Sequence, residues 1–401
     1  MDIERRRFCD MCGLKLFRNF MKRIGITALL ILALAGVTIP SVQPATASGT
    51  HSITLMPNGT SGSSKIVRTT AHSYKLPKVT FTRAGYTFLG WAKSARGAKA
   101  YSDRATIRFT SSLKLYALWK EIMPAKPAVA GRTVGNLLWR DEFYGATGSS
   151  INADYWTGRY CDQADENGGG TCHNNEPQWY LPSAVALDGS TAGNAVITTK
   201  RVYAAPAEGQ CLAWSGCQFT SARFDTQGKV AFKYGYIETR IKMPAGGRNW
   251  PAFWMLGENI TSVGWPQTGE IDIAEQGGNT PNRNSGALHY STNGVANDCC
   301  GNHTYDYGSY NGANYSADFH TYAMAWTPNR IDLIVDGIVF KTFTSTSIRS
   351  QYWSFNNPFF LIINNATGDF GGNWTGWTQS QMTIDYVRVW KLDNQGEVFI
   401  R

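Results

Sequence analysis

From residue 135 to residue 401 the sequence carries almost no 3.6-residue hydrophobic period. Short apolar or alternating runs, such as 195–199, 234–243, 330–335 and 382–390, stand between turn residues instead. Runs of this length and period are strands, and a long series of them predicts one all-β sandwich rather than a helical bundle. The composition agrees with that reading. Its 41 Gly, 13% aromatic and 17% charged residues suit a turn-rich chain with many flat rings.

The first 47 residues read differently. Met21-Lys22-Arg23 precedes an apolar run at 24–37, and Ala45-Thr46-Ala47 follows as a cleavage site. This order predicts a secretory signal peptide over 1–47, with Met21 as an alternative start. The apolar run is short for a membrane span of about 20 residues. Arg5-Arg6-Arg7-Phe8 only weakly matches a twin-arginine signal, and the Cys9-x-x-Cys12 pair lies within the leader. The expected location is extracellular or at the cell surface, with no membrane partner once the leader is removed.

Charge narrows the partners. The whole chain carries 38 Lys and Arg against 29 Asp and Glu, and seven of the former and three of the latter fall in the leader. The remaining +5 is too mild to predict a nucleic-acid partner. Six cysteines follow the leader: Cys161, Cys172, Cys211, Cys217, Cys299 and Cys300. An even count in an exported chain predicts disulfides. The local pairs Cys161–Cys172 and Cys211–Cys217 would each close a Gly-rich loop. Cys299 and Cys300 are left as a vicinal bridge or as free thiols.

Residues 50–120 form a separate small module of predicted strands at 53–56, 78–81, 106–109 and 113–119. Arg83-Ala84-Gly85-Tyr86-Thr87-Phe88-Leu89-Gly90-Trp91 and Leu115-Tyr116-Ala117-Leu118-Trp119 resemble the Listeria–Bacteroides repeat, a β-rich module of bacterial surface proteins. Its aromatic residues are expected in its core, and the module is expected to act as a spacer or to contact a cell surface. Residues 121–134, with Pro124 and Pro127, read as a linker to the sandwich at 135–401.

The chemistry concentrates at residues 269–277, Gly-Glu-Ile-Asp-Ile-Ala-Glu-Gln-Gly. On a regular strand Glu270 and Asp272 share a face and Glu275 points away. One β-bulge between Asp272 and Glu275 would bring all three to one face. Grouped acids repel one another without structural benefit. They serve chemistry, because one can stay ionised while its neighbours hold another protonated. An exposed acidic strand edge is the plain alternative.

The pattern Glu-x-Asp-x-x-Glu resembles the catalytic strand of glycoside hydrolase family 16 in its laminarinase-like form. The resemblance implies a β-jelly roll with a concave substrate cleft and an endo-acting, retaining hydrolase of β-linked glucan, most simply β-1,3-glucan. It assigns Glu270 as nucleophile, Glu275 as acid and base, and Asp272 as the residue that tunes them. Supporting motifs follow in family order. They are Trp139-Arg140-Asp141-Glu142-Phe143, Asn174-Asn175-Glu176-Pro177-Gln178-Trp179-Tyr180, Tyr234-Gly235-Tyr236-Ile237-Glu238-Thr239-Arg240-Ile241 and Arg248-Asn249-Trp250-Pro251-Ala252-Phe253-Trp254-Met255-Leu256.

From these motifs the resemblance implies sugar contacts by Asn174, Glu238, Arg240, Arg248, Trp250, Trp254, Trp265, His289, Trp374 and Trp377. The plain alternatives are a solvent-facing salt pair for Glu238 and Arg240 and core positions for Trp250 and Trp254. The resemblance also implies a structural Ca²⁺ held by Glu142, the carbonyl of Gly193 and Asp385, a ligand set of hard oxygens. No cofactor is expected for catalysis, and the chain is expected to be a monomer. One motif departs from the family: Asn364-Asn365-Ala366-Thr367-Gly368 stands where members usually read Asn-Leu-Ala-Val-Gly-Gly, and Asp369-Phe370 follows as an insertion. Other family 16 specificities, among them mixed-linkage glucan, agar and carrageenan, and a non-catalytic glucan-binding lectin are the alternatives.

Overall fold

Phe253, Ile271, Phe224, Ile363, Tyr322, Trp326 and Val387 come from six different strands, and each is fully enclosed in one shared core. Period-2 alternation makes this possible, because each strand offers one apolar face. The computed structural model describes residues 49–401 apart from 61, 162–173, 214–215, 295–301, 350, 369, 371 and 374. The leader therefore lies outside the described residues. Residues His51–Arg401 form one unit.

Two sheets face each other across that core, as the strand pattern predicts. The outer sheet runs through Gly235–Lys242, His320–Thr327 and Gln379–Leu392. The inner sheet carries the site. Its strands are numbered here β1 (Arg223–Asp225), β2 (Asn249–Gly257), β3 (Glu270–Glu275), β4 (Arg283–Ser291), β5 (His303–Asn311) and β6 (Phe359–Thr367). In space they lie in the order β5-β4-β3-β2-β6-β1. Burying a Phe or Leu side chain on either inner face contributes about 1.5–3 kcal/mol. The α-helix among the described residues is a single turn, Ile260–Val263. The result is the all-β sandwich that the strand pattern predicts, in the jelly-roll form that the resemblance implies.

A buried polar network joins the two sheets. Asn365 of β6 donates to Thr199 at 2.6 Å and to Asn249 at 2.9 Å, and Gln178 accepts from both the backbone and the hydroxyl of Thr367. An apolar residue is usual at the Asn365 position in the resembled family. A buried amide there needs partners; Thr199 and Asn249 accept from its N–H groups, while its Oδ1 is buried without one among the described residues.

The small module has a sheet in the order Lys65–Thr69, His51–Met56, Leu113–Glu121, Tyr86–Ala92, Lys99–Tyr101. Ile53, Leu55, Leu115, Ala117 and Trp91 form its core, flanked by Phe88 and Trp119. Tyr86 is instead half-buried beneath the Arg83 guanidinium, 3.7 Å from its ring centre. The strand expected at 78–81 is absent. Pro77 offers no N–H to a ladder, and the Val79 N–H goes to the Asp103 carboxylate at 2.9 Å.

The linker is docked rather than loose. Arg132 donates to Asp393 at 2.5 Å and to Asp332 at 3.0 Å, while Val129 lies against the Tyr236 and Trp390 cluster. Arg140 donates to Glu121 and to the Ile122 carbonyl, tying module to sandwich.

Among the cysteines, Cys211 and Cys217 form a disulfide. Cys161 is also disulfide-bonded. Its expected partner Cys172, together with Cys299 and Cys300, lies outside the described residues.

Candidate active site

The register of β3 contains the bulge. Against β2, Glu275 pairs with Ala252 and Ala274 with Phe253, but Trp254 pairs with Asp272, so Ile273 has no opposite number. The same irregularity appears against β4, between Asp272 and Glu275. Ile273 and Ala274 consequently both face the core. Glu270, Asp272 and Glu275 all reach the other face and line one cleft of about 720 Å³. Gly269 admits the chain into β3 at φ +82°. A Cβ there would come within 3.1–3.2 Å of Phe355, Ser354 and Phe359 in a backbone conformation that side chains disfavour.

Each outer acid is held by an indole. Trp265 Nε1 donates to Glu270 Oε2 at 2.7 Å, and Trp250 Nε1 donates to Glu275 Oε1 at 2.8 Å. Asp272, between them, is nearly enclosed. Its Oδ2 lies 3.2 Å from His289 Nε2, an ion-pair contact too bent to make a good hydrogen bond. His289 Nδ1 meets His303 Nε2 at 2.9 Å, and the His303 ring lies 4.4 Å from that of Trp265. Glu270, Asp272 and His289 bring polar atoms within 4.8 Å of one another.

This crowding sets the proton positions. Burial first, then the charges of Glu270 and Glu275, push Asp272 well above the usual carboxylate range, with His289 opposing. Glu275 is also raised. Burial on the cleft floor dominates there, since the walls strip water from a carboxyl still reachable from the cleft. The Trp250 hydrogen bond and the His289 charge pull the other way. Burial alone would lower His289, yet its contact with Asp272 and the charge of Glu270 carry it up to about 9. A carboxyl held above its usual range beside a second carboxyl is the arrangement that general acid catalysis with a nucleophile needs.

Two expected results follow from these contacts. Replacing Trp250 by Phe removes a donor that favours ionised Glu275, so the alkaline limb of the pH–rate profile moves to higher pH as turnover falls. A limb that stays in place or moves down contradicts the contact. The second concerns His289, whose folded pKa lies above the free imidazole value of about 6.5. Its pairing then contributes stability below that value and loses it as pH rises through about 9. The melting-temperature gap between the native chain and His289→Gln should therefore be wider at pH 6.5 than at pH 8 and narrow by pH 10. A constant gap rules out the charged pair.

Several expected residues meet in this cleft: Asn174, Trp250, Trp254, Trp265 and His289 line it with the three acids. Trp254 donates to Asn364 at 2.6 Å and carries the Arg223 guanidinium 4.9 Å from its ring centre. Trp250 is covered by Phe370, stacked at 5.2 Å and 24°. Phe370 is 46% exposed, so the inserted residue presents the open ring.

Other expected residues do not belong to the cleft. Glu238 and Arg240 share a face, as alternation predicts, but their strand lies in the outer sheet. Glu238 accepts from Tyr236 and Tyr386 at 2.9 and 2.8 Å, and Arg240 donates to Asp385 at 2.6 Å. They are structural because parity fixes only a face, not which sheet owns it. Arg248 donates to the Gly368 carbonyl at 3.0 Å and lies off the cleft lining. Trp377 packs on Phe219 at 4.9 Å, away from the acids. Trp374 lies outside the described residues.

The calcium set is corrected too. Both Glu142 oxygens accept from Arg388, at 2.8 and 2.7 Å, and Asp385 accepts from Arg240. Two guanidinium groups already neutralise the acids meant for the cation, so these side chains do not fit it. Gly193 stands near Glu142 because it has no Cβ, which would sit 2.3 Å from the Glu142 carbonyl oxygen.

The structure adds residues that sequence reasoning missed. Glu176, held by Gln178 at 2.8 Å and by Tyr180 at 3.3 Å, lines one end of the cleft with Arg223 and Asn364. Burial raises the Glu176 carboxyl. At the other end β5 sends His303, Tyr305 and Tyr307 to the cleft. The alternation His-Thr-Tyr-Asp-Tyr was a readable period-2 signal for this strand.

A cleft on a β-sandwich, floored by paired carboxyls and walled by aromatic rings, is the arrangement of a glycoside hydrolase. The comparisons with known proteins agree. The model for glycosyl hydrolases family 16 matches residues 189–388, and that for the Listeria-Bacteroides repeat domain matches residues 51–118. A β-glucanase of Rhodothermus marinus is 32% identical over 267 residues, 64% of this chain and 85% of that protein. Glucan endo-1,3-β-glucosidase A1 of Niallia circulans is 32% identical over 285 residues, 67% of this chain but only 39% of that longer protein. Among solved structures, an endo-β-1,3-glucanase from Pyrococcus furiosus aligns with a TM-score of 0.56 and 32% identity, covering 67% of this chain and 99% of that one. The chain belongs to glycosyl hydrolase family 16.

Proposed function

We propose that this chain is an exported, endo-acting hydrolase of β-1,3-linked glucan that works by double displacement with retention of configuration. The observation that carries this reading is the bulge in β3, which brings Glu270 and Glu275 to one face, each under its own indole donor. In the first step Glu275, protonated, donates to the glycosidic oxygen while Glu270 attacks the anomeric carbon. The bond to the leaving sugar breaks, and a glycosyl ester forms on Glu270. In the second step Glu275, now ionised, takes a proton from water. The oxygen of that water attacks the anomeric carbon and frees Glu270. Asp272 and His289 hold the charge between the two carboxyls steady as the proton moves.

The linkage rests on the likeness to endo-1,3-β-glucanases and on the ring surfaces of Trp250, Trp254 and Phe370, since flat aromatic faces suit the apolar faces of sugars. Export rests on the leader at 1–47. The lectin alternative fits less well, because all three acids are present and positioned. The test is product analysis with the chain from residue 48 onward on laminarin, lichenan, agarose and κ-carrageenan. Short β-1,3-oligosaccharides from laminarin support the reading. Cleavage of a galactan alone overturns the substrate, and binding without cleavage of any overturns the enzyme.

A further inference from the structure

The mild net charge of the mature chain conceals a division. Residues 51–121 hold twelve Lys or Arg against two Asp or Glu, a net +10, whereas residues 122–401 hold nineteen against twenty-four, a net −5. Eleven of the twelve module cations are exposed, Arg83 being the half-buried one. The two module acids are otherwise engaged, Asp103 with the Val79 N–H and Glu121 with Arg140 of the sandwich. Among the described residues no module cation forms an ion pair with an acid. Unbalanced charge of this density repels itself and opposes compactness, a cost that a neutral spacer would not carry.

The placement indicates the shape of a ligand. Arg68 lies opposite Ser52, Lys114 opposite Thr54 and Lys120 opposite Thr87, so the three cations share the face turned away from the Ile53, Leu55 and Leu115 core. Lys114 and Lys120 stand six residues apart on one strand, about 20 Å at strand rise. Further cations, among them Lys93, Arg96 and Lys99, lie beyond them on the same small module. A small anion would meet one charge at a time here. A long chain of repeated anionic groups meets many.

We propose that the module is an electrostatic anchor for a polyanionic glycan, a polymer with phosphodiester or carboxylate groups at regular intervals. The net-negative sandwich repels such a chain, which leaves the cleft to a neutral glucan beside it. Among the described residues the large exposed apolar side chains of the module are Ile66 and Leu89, not the aromatic platforms on which unpaired bases stack, so a glycan fits better than single-stranded nucleic acid.

The test measures binding of the chain from residue 48 onward to poly(glycerol phosphate), polygalacturonate, duplex DNA and neutral laminarin at several salt concentrations, with laminarin turnover as a separate readout. The anchor predicts retention on one or both anionic polymers that weakens steeply with salt. The phosphate and carboxylate arms distinguish the source. In the triple variant Arg68→Gln, Lys114→Gln, Lys120→Gln, affinity should fall at least tenfold with laminarin turnover unchanged. The proposal is overturned by no retention on either polymer, by retention unaffected by salt or by the triple variant, or by tighter binding to DNA than to both.

Discussion

Glu270→Gln should abolish glucan hydrolysis while leaving the fold intact. The amide cannot form the glycosyl ester, so turnover should drop by roughly 10⁴-fold, equivalent to about 5.4 kcal/mol of lost transition-state stabilisation. The fold should hold because the Gln carbonyl can still accept the Trp265 N–H that Glu270 accepts at 2.7 Å. The side chain also stays on the cleft side of β3, away from the core that Ile271 and Ile273 build. Laminarin turnover and a melting curve on the same preparation check both halves. Turnover within tenfold of the native chain would assign the attack elsewhere.

Glu275→Ala should separate the two steps. Without the acid, glucan with its poor sugar leaving group should lose about 10²–10⁴-fold. An activated aryl glucoside needs little protonation to leave, so its first step should survive and the second become limiting. Azide needs no general base and should restore turnover of that substrate, giving a β-glycosyl azide. The Trp250 N–H, which Glu275 accepts at 2.8 Å, loses its partner in this variant. Asp272 also loses one neighbouring charge, which lowers its carboxyl toward the usual range. Equal losses on both substrates with no azide rescue would remove Glu275 from the acid–base role.

Residue pattern alone exposed the centre of this site and missed its rim. The bulge was legible because three acids on one strand force a parity problem, and one extra residue is its simplest solution. The indole partners were half legible: alternation placed Trp250 and Trp254 on one face but could not show that the Trp250 N–H reaches Glu275. Alternation also misled at Glu238 and Arg240, whose shared face is real but belongs to the outer sheet. Sheet membership depends on pairing between distant segments, such as Glu238 opposite Arg388, and no local period encodes it.

Arg223 escaped for a related reason. β1 is three residues long, too short to show a period, and its partners on β6 lie well over a hundred residues away. The opposed charges of module and sandwich needed no structure to find. They partly cancel in the whole-chain net charge and appear only when the chain is divided at its linker.

The most direct measurement is a trapping experiment. The chain is incubated with a 2-deoxy-2-fluoro laminaribiosyl fluoride, digested, and the labelled peptide is fragmented in a mass spectrometer to locate the sugar. A single stable glycosyl adduct on Glu270 is the expected result. An adduct on Glu275, or none while laminarin is still being cleaved, would contradict it.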